Sequence, residues 1–157
     1  MLMEKWTAAV TQALAIKAQK PIMTRTVITS DSSALVVEVE IKASDWRIKL
    51  SDAKAVCRTA VTATWHAVEA PITSDIASYA AEVSVRLTDD EEMVQLNKEF
   101  RACLGPTNVL SFPALDEHSL NNLPKDAPVL LGDVVIALGV TEREAREQTK
   151  SLANHLS

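Results

Sequence analysis

Glu82-Val83-Ser84-Val85-Arg86-Leu87-Thr88-Asp89-Asp90-Glu91-Glu92 is the stretch on which the fold turns. Val83, Val85 and Leu87 alternate with Ser84 and Arg86, the two-residue period of a strand with one buried face. The period breaks at Thr88-Asp89, where a capping side chain is followed by acids suited to the first turn of a helix. Met93, Leu96 and Phe100 then recur on one helical face.

The same alternation of strand and helix extends in both directions. Upstream, residues 34–41 set Val37 and Val39 against Glu38 and Glu40, a strand with one wet face. Residues 51–69 carry Ala55, Val56, Thr59, Ala60, Ala63 and Val68 at helical spacing, with Asp45 or Ser51 to open the helix and Pro71 just beyond it. Downstream, residues 108–112 form a short strand closed by Pro113, and residues 114–128 read as a polar loop. Residues 129–140 are the most apolar stretch and a strand candidate; Thr141 is placed to cap a last helix over 142–155, with Glu144 completing a capping box.

Residues 1–20 have Leu2, Trp6, Val10 and Leu14 at helical spacing before Pro21, and 24–33 is a polar linker. We therefore divide the chain into an N-terminal extension, 1–33, for which Met23 is an alternative start, and a domain over 34–157. The element order predicts an α/β (α+β-like) fold, with helices packed on a mixed, mostly parallel four-stranded sheet carrying one antiparallel strand.

The chain's 157 residues suit one hydrophobic core. No apolar run of about 18 residues is present to span a membrane. Neither a secretory leader nor an Arg-rich presequence opens the sequence, so a cytoplasmic location is expected. Cys57 and Cys103 form no CxxC pair and read as free thiols. With a net charge of −5, any RNA binding needs a local basic patch.

Three blocks carry more than a fold: Ser84–Glu92 running into Leu96-Asn97-Lys98-Glu99-Phe100-Arg101; Pro106-Thr107-Asn108-Val109-Leu110-Ser111-Phe112-Pro113; and Leu130-Leu131-Gly132-Asp133-Val134-Val135-Ile136. In order and spacing they resemble the YbeY family of bacterial endoribonucleases, from about Leu35 to Ser157. The resemblance implies a zinc-dependent, single-strand-specific nuclease acting in ribosomal RNA maturation and ribosome quality control, with ribosomal RNA and the ribosome as partners. The family holds zinc by three histidines of the motif His-Gly-x-Leu-His-x-x-Gly-x-Asp-His. Three neutral imidazoles leave one position open for a water of lowered pKa.

That motif is expected within one or two turns of Ser157 and is not in the sequence. The domain therefore reads as incomplete at its C-terminus, without the family's metal-binding helix, without zinc and without cleavage by this chain. The histidines present, His66, His118 and His155, share no metal-ligand spacing; they read as a helix-face residue, a loop residue and a helix C-terminal cation. His155 corresponds to an upstream family position that is not a ligand.

Arg101 matches the family's functionally important arginine, which implies a phosphate-gripping role; a cation at a helix end also has a purely structural explanation. The family's Arg-Gly-Lys-Asp-Lys-Pro-Thr becomes Arg101-Ala102-Cys103-Leu104-Gly105-Pro106-Thr107 here, with less local positive charge. Asn108 and Ser111 are candidates to line an RNA groove, ordinary strand hydrogen bonding being the alternative. Asp133 is a candidate for orienting a metal-ligating histidine, or else a solvated or capping acid. Cys103 has no flanking histidine or acid and reads as an incidental thiol. Trp6, Trp46 and Trp65 are scattered and read as packing residues. The rival functions are a non-catalytic RNA- or ribosome-binding module and a non-functional remnant; the sequence is silent on oligomeric state.

Overall fold

The computed structural model describes residues 35–67, 80–114 and 128–157. The expected N-terminal helix and linker, Trp6, Val68, Pro71 and the loop bearing His118 lie outside them. Strands β1 (Leu35–Ile41), β2 (Ala81–Thr88), β3 (Val109–Pro113) and β4 (Val129–Ala137) form one sheet in the order β1-β2-β4-β3. β1 and β2 pair in parallel, as do β2 and β4, while β3 runs antiparallel to β4 at the edge. The mixed, mostly parallel α/β sheet expected from the alternation is present.

The helices are α1 (Asp45–Lys49), α2 (Ala53–Ala67), α3 (Asp90–Arg101), α4 (Leu138–Glu147) and α5 (Leu152–Leu156). Cross-strand partners share a face, so the register sorts the core into two layers. Val39, Val83, Val85, Leu87, Val134 and Ile136 pack with Trp46, Cys57, Val61 and Leu156 from the helices on one side. Leu110, Phe112, Val135 and Ala137 meet Met93, Leu96 and Phe100 of α3 on the other. Phe100 and Phe112 meet edge to face, with ring centroids 5.0 Å apart. Trp46 is fully buried, and its indole N–H donates to the Thr88 carbonyl at 2.8 Å, joining α1 to the end of β2.

Two sequence expectations are corrected. The buried face of α2 is Ala53, Cys57, Ala60, Val61 and Thr64, whereas Ala55, Thr59 and Ala63 are exposed. In a helix of alanines and threonines several faces look equally apolar, and the bulk of Val61 and Cys57 decides the orientation. The second concerns residues 129–157. β4 stops at Ala137 and α4 begins at once at Leu138, so Thr141 lies inside the helix and donates back to the Ala137 carbonyl at 2.7 Å. The expected single last helix is two: Thr149 adopts a left-handed φ of 55°, and Ser151 opens α5 by accepting from the Asn154 amide.

With no residue between β4 and α4 to supply a cap, the first amides of α4 are served from another element. Asp90, in the first turn of α3, accepts from the Val140 amide at 3.0 Å and from Arg143 at 3.1 Å. A Cβ built on Gly139 would come 2.5 Å from an Asp90 carboxylate oxygen, so a side chain there would push the carboxylate away from the Val140 amide. Gly132, with φ +135° opposite Pro113, is constrained more severely: a Cβ would meet the Phe112 carbonyl at 2.3 Å. It follows the register shift at which Leu131 becomes an extra residue of β4 against β2.

On α4, Glu142 accepts from Lys49 of α1 at 3.0 Å and lies 2.7 Å from Arg146, the ion pair expected from the i, i+4 spacing. The Lys49 hydrogen bond first, and the Arg146 charge after it, hold the Glu142 carboxyl below its ordinary 4.5 against a desolvation that raises it. A depressed carboxyl stabilises the fold above its unfolded value, and that contribution is lost as pH falls through the folded one. The melting temperature of the wild type is therefore expected to fall more steeply below pH 4.5 than that of Glu142→Gln. The difference should shrink in high salt, because the pair is partly solvated. Asp90→Ala is expected to cost about 1–2 kcal/mol in urea unfolding, the range for loss of a helix cap.

Candidate RNA-binding loop

α3 ends at Arg101 because Ala102 takes the left-handed conformation, φ 52° and ψ 29°. The chain then passes over Cys103, Leu104 and Gly105 before reaching β3. Two buried asparagines bracket this loop. Asn97, on the Met93 side of α3, donates from Nδ2 to the Gly105 carbonyl at 2.9 Å, and its own carbonyl accepts from the Cys103 amide at 3.3 Å. At the other end, Asn108 Oδ1 accepts from the Val109 amide at 2.9 Å. The Asn108 carbonyl accepts from the Ala137 amide at the same distance. A loop pinned by side chains at both ends presents its exposed residues from a fixed frame.

Arg101 is exposed at the end of α3, one turn from exposed Lys98. Among the described residues no ion pair or hydrogen bond engages its guanidinium, in contrast to Arg86, which spans Glu40 at 3.0 Å and Glu92 at 3.1 Å. Glu92 also takes a short hydrogen bond from the Thr88 hydroxyl. Asn108 is 4% exposed and donates from Nδ2 to Glu144 Oε2 at 2.7 Å. Ser111 is half-buried on edge strand β3 opposite Val134, on the sheet face away from α3. Asp133 pairs with Ser84 and Phe112 across the sheet, on the α3 face, and is itself engaged. The fold thus joins Arg101 and Asn108 through one loop, while Ser111 and Asp133 belong to opposite faces of the sheet.

His66 is exposed on α2 and His155 is buried in α5, its Nε2 3.1 Å from Glu144 Oε2. His155 does lie in the last turn of its helix, but it packs inward against an acid instead of standing at the surface. Among the described residues no three of His, Cys, Asp and Glu come together to hold a metal ion. Sequence reading gave Asn97 no role of its own and gave Glu144 and Asp90 only local ones, in a capping box and in the first turn of a helix. The available signal for Asn97 was a polar residue four positions after Met93, on a face that otherwise reads as core.

The two thiols differ sharply. Burial pushes Cys57 from 9.0 up to about 12, with Arg58 opposing weakly, while Cys103 is exposed on the loop. One thiol per chain, Cys103, is expected to react promptly with a disulfide reagent at neutral pH. The second should react only as fast as the protein opens. Two equally fast thiols would contradict this packing.

The family model for Endoribonuclease YbeY matches residues 38–157. An Endoribonuclease YbeY of Rhizorhabdus wittichii is 41% identical over 123 residues, covering 76% of this chain and 72% of that protein. One of Bradyrhizobium diazoefficiens is 40% identical over 133 residues, covering 85% of this chain and 68% of that protein. Across such relatives the matched segment spans from 58% to 72% of their own length. Among solved structures, the solution structure of TM1509 from Thermotoga maritima gives a TM-score of 0.40 at 22% identity, over 78% of this chain and 63% of that one. With its matched blocks lying on β2–α3, on the loop and β3, and on β4, the chain belongs to the YbeY endoribonuclease family.

Proposed function

We propose that this chain serves ribosomal RNA maturation and ribosome quality control in the cytoplasm by gripping single-stranded ribosomal RNA through Arg101. The observation that carries the reading is a guanidinium without an ion-pair partner among the described residues, in the last turn of α3 at the entry to a loop pinned by Asn97 and Asn108. A planar guanidinium accepts a phosphate through two parallel N–H···O bonds, and a fixed loop lowers the ordering cost of that contact. Lys98 adds a second cation in the last turn of α3. Such contacts fix the position of an RNA strand without reading its sequence. Asn108 and Ser111 are proposed as flanking contacts, and Asp133 as an orienting acid on the α3 face.

Zinc is the cofactor that the family resemblance implies. The described residues do not fit it: His155 is committed to Glu144, and His66 stands apart on α2. No hydrolytic step is assigned to them, and this chain is expected to bind RNA without cutting it. That supports, as a second reading, a non-catalytic module holding RNA or ribosomes through the same loop.

Arg101→Ala is expected to weaken binding of a single-stranded oligoribonucleotide about tenfold and to reduce the salt slope by about one contact, with Arg101→Lys intermediate. Fluorescence anisotropy at several salt concentrations measures both. An unchanged affinity would sink the assignment of Arg101. Incubation of the same 157-residue chain with RNA and added zinc tests the expectation of binding without cutting: cleavage would overturn it, whereas binding and ribosome co-sedimentation without cleavage would support it.

A further inference from the structure

Two buried polar side chains, one from the loop before β3 and one from α5, converge on a third. Glu144 lies on α4. Its Oε2 accepts from Asn108 Nδ2 at 2.7 Å and stands 3.1 Å from His155 Nε2. Asn108 is the residue on which the Arg101 loop closes, and His155 is in the last turn of α5. Both are almost wholly buried, at 4% and 2% exposure, so neither can turn to water if the carboxylate moves away. A neutral His155 meets the carboxylate by carrying its proton on Nε2, so Glu144 also selects the imidazole tautomer. Among the described residues, the hydrogen bonds of Asn108 and those of His155 share Glu144 as their common partner.

We infer that Glu144 is a positioning residue that locks the Arg101 loop and α5 into one fixed relation, so that the loop is set for RNA only while α5 is seated. The inference deepens the RNA-binding reading and rests on it. One acceptor oxygen serving two buried groups makes the two seatings interdependent: displacing α5 withdraws His155, takes away one of the contacts that fix Oε2, and so loosens the partner that orients Asn108. Asn108 in turn holds the Val109 amide through Oδ1, and that amide opens the strand following the loop. α5 is short, capped by Ser151 and preceded by the left-handed Thr149, so tertiary contacts such as this one hold it in place.

The test uses the 157-residue chain, amide hydrogen exchange and RNA anisotropy. The Cys103 and Val109 amides report the loop and its exit; the His155 and Ser157 amides report α5. His155→Phe keeps an apolar ring in place but removes the N–H donor. It is expected to raise exchange about fivefold or more at Val109 and Cys103 as well as in α5, to leave the β1–β2 pair unchanged, and to weaken RNA binding by about the same factor. Faster exchange confined to α5, with loop protection and RNA affinity intact, would overturn the inference. Glu144→Leu should reproduce the His155→Phe pattern. Glu144→Gln, which keeps an acceptor oxygen, should recover most of the protection, and a Gln variant as loose as the Leu variant would also overturn it. Should His155→Phe fail to fold, Asn108→Ala reads the coupling from the other end: increased exchange in α5 supports it and unchanged exchange refutes it. Arg101→Ala keeps the two readings apart. If it leaves RNA affinity untouched, the RNA-binding reading fails, and exchange alone decides whether Glu144 couples the two elements.

Discussion

The carboxylate of Asp90 satisfies a demand created by the chain path itself. β4 passes into α4 without an intervening residue, so the first amides of α4 point at no local acceptor. A helix end left in that state carries unpaired donors and an unopposed positive dipole. Asp90 answers both from the first turn of α3, and Arg143 completes the contact. α3 lies on one face of the sheet, while α4 continues from its central strand toward α5. The same carboxylate therefore sets the relation between the helix that ends in Arg101 and the helix that carries Glu144. Its approach is close enough that a Cβ on Gly139 would displace it, so the small residue at 139 and the cap go together.

With that relation set, the loop after α3 has both of its boundaries defined by buried amides. Asn97 faces the core side of α3 beside Met93 yet spends its side chain on the Gly105 carbonyl, and Asn108 spends its own on Glu144 and the Val109 amide. A buried amide is costly unless paired, so these residues are explained by the partners they serve and not by packing. Between them the chain is exposed, Leu104 most of all at 90%, and free to meet a partner. Between Arg101 and Thr107 the loop carries no lysine, so its shape rests on its asparagine anchors and its charge on Arg101 and Lys98. Shape and charge are separable in such a site: hydrogen bonds within the protein fix where a phosphate would sit, and the surface cations fix how strongly it is held.

The strands were legible because their alternation is strict. Val37/Val39 and Val83/Val85/Leu87 leave no other period to read, and the structure places both sets on one face. The start of α3 was equally plain, since Asp89 caps the Glu92 amide within the local sequence. The start of α4 was not, because its cap comes from fifty residues away and an apolar run continues from strand to helix without a break in composition. The face of α2 was misread for want of bulky residues to mark it. Arg101 and Asn108 were singled out through the motif that contains them, and the structure joins them through one loop. Glu144 was noticed only for a local capping spacing, while its actual partners, Asn108 and His155, are brought to it by the fold. Local chemistry writes itself into adjacent residues; long-range satisfaction of buried polar groups does not.

That distinction bears on how binding and cleavage relate in this fold. A phosphate grip asks only for an available cation beside a pinned loop, and α3, the loop and β3 supply these, with α4 as a buttress. Metal-assisted hydrolysis instead needs several donors converging on one point with an open position left over. His155 cannot serve as such a donor through Nε2 while that atom meets Glu144, and releasing it would leave a buried imidazole nitrogen without this partner. The Glu144 cluster is therefore better suited to seating α5 against the loop than to acting on a substrate.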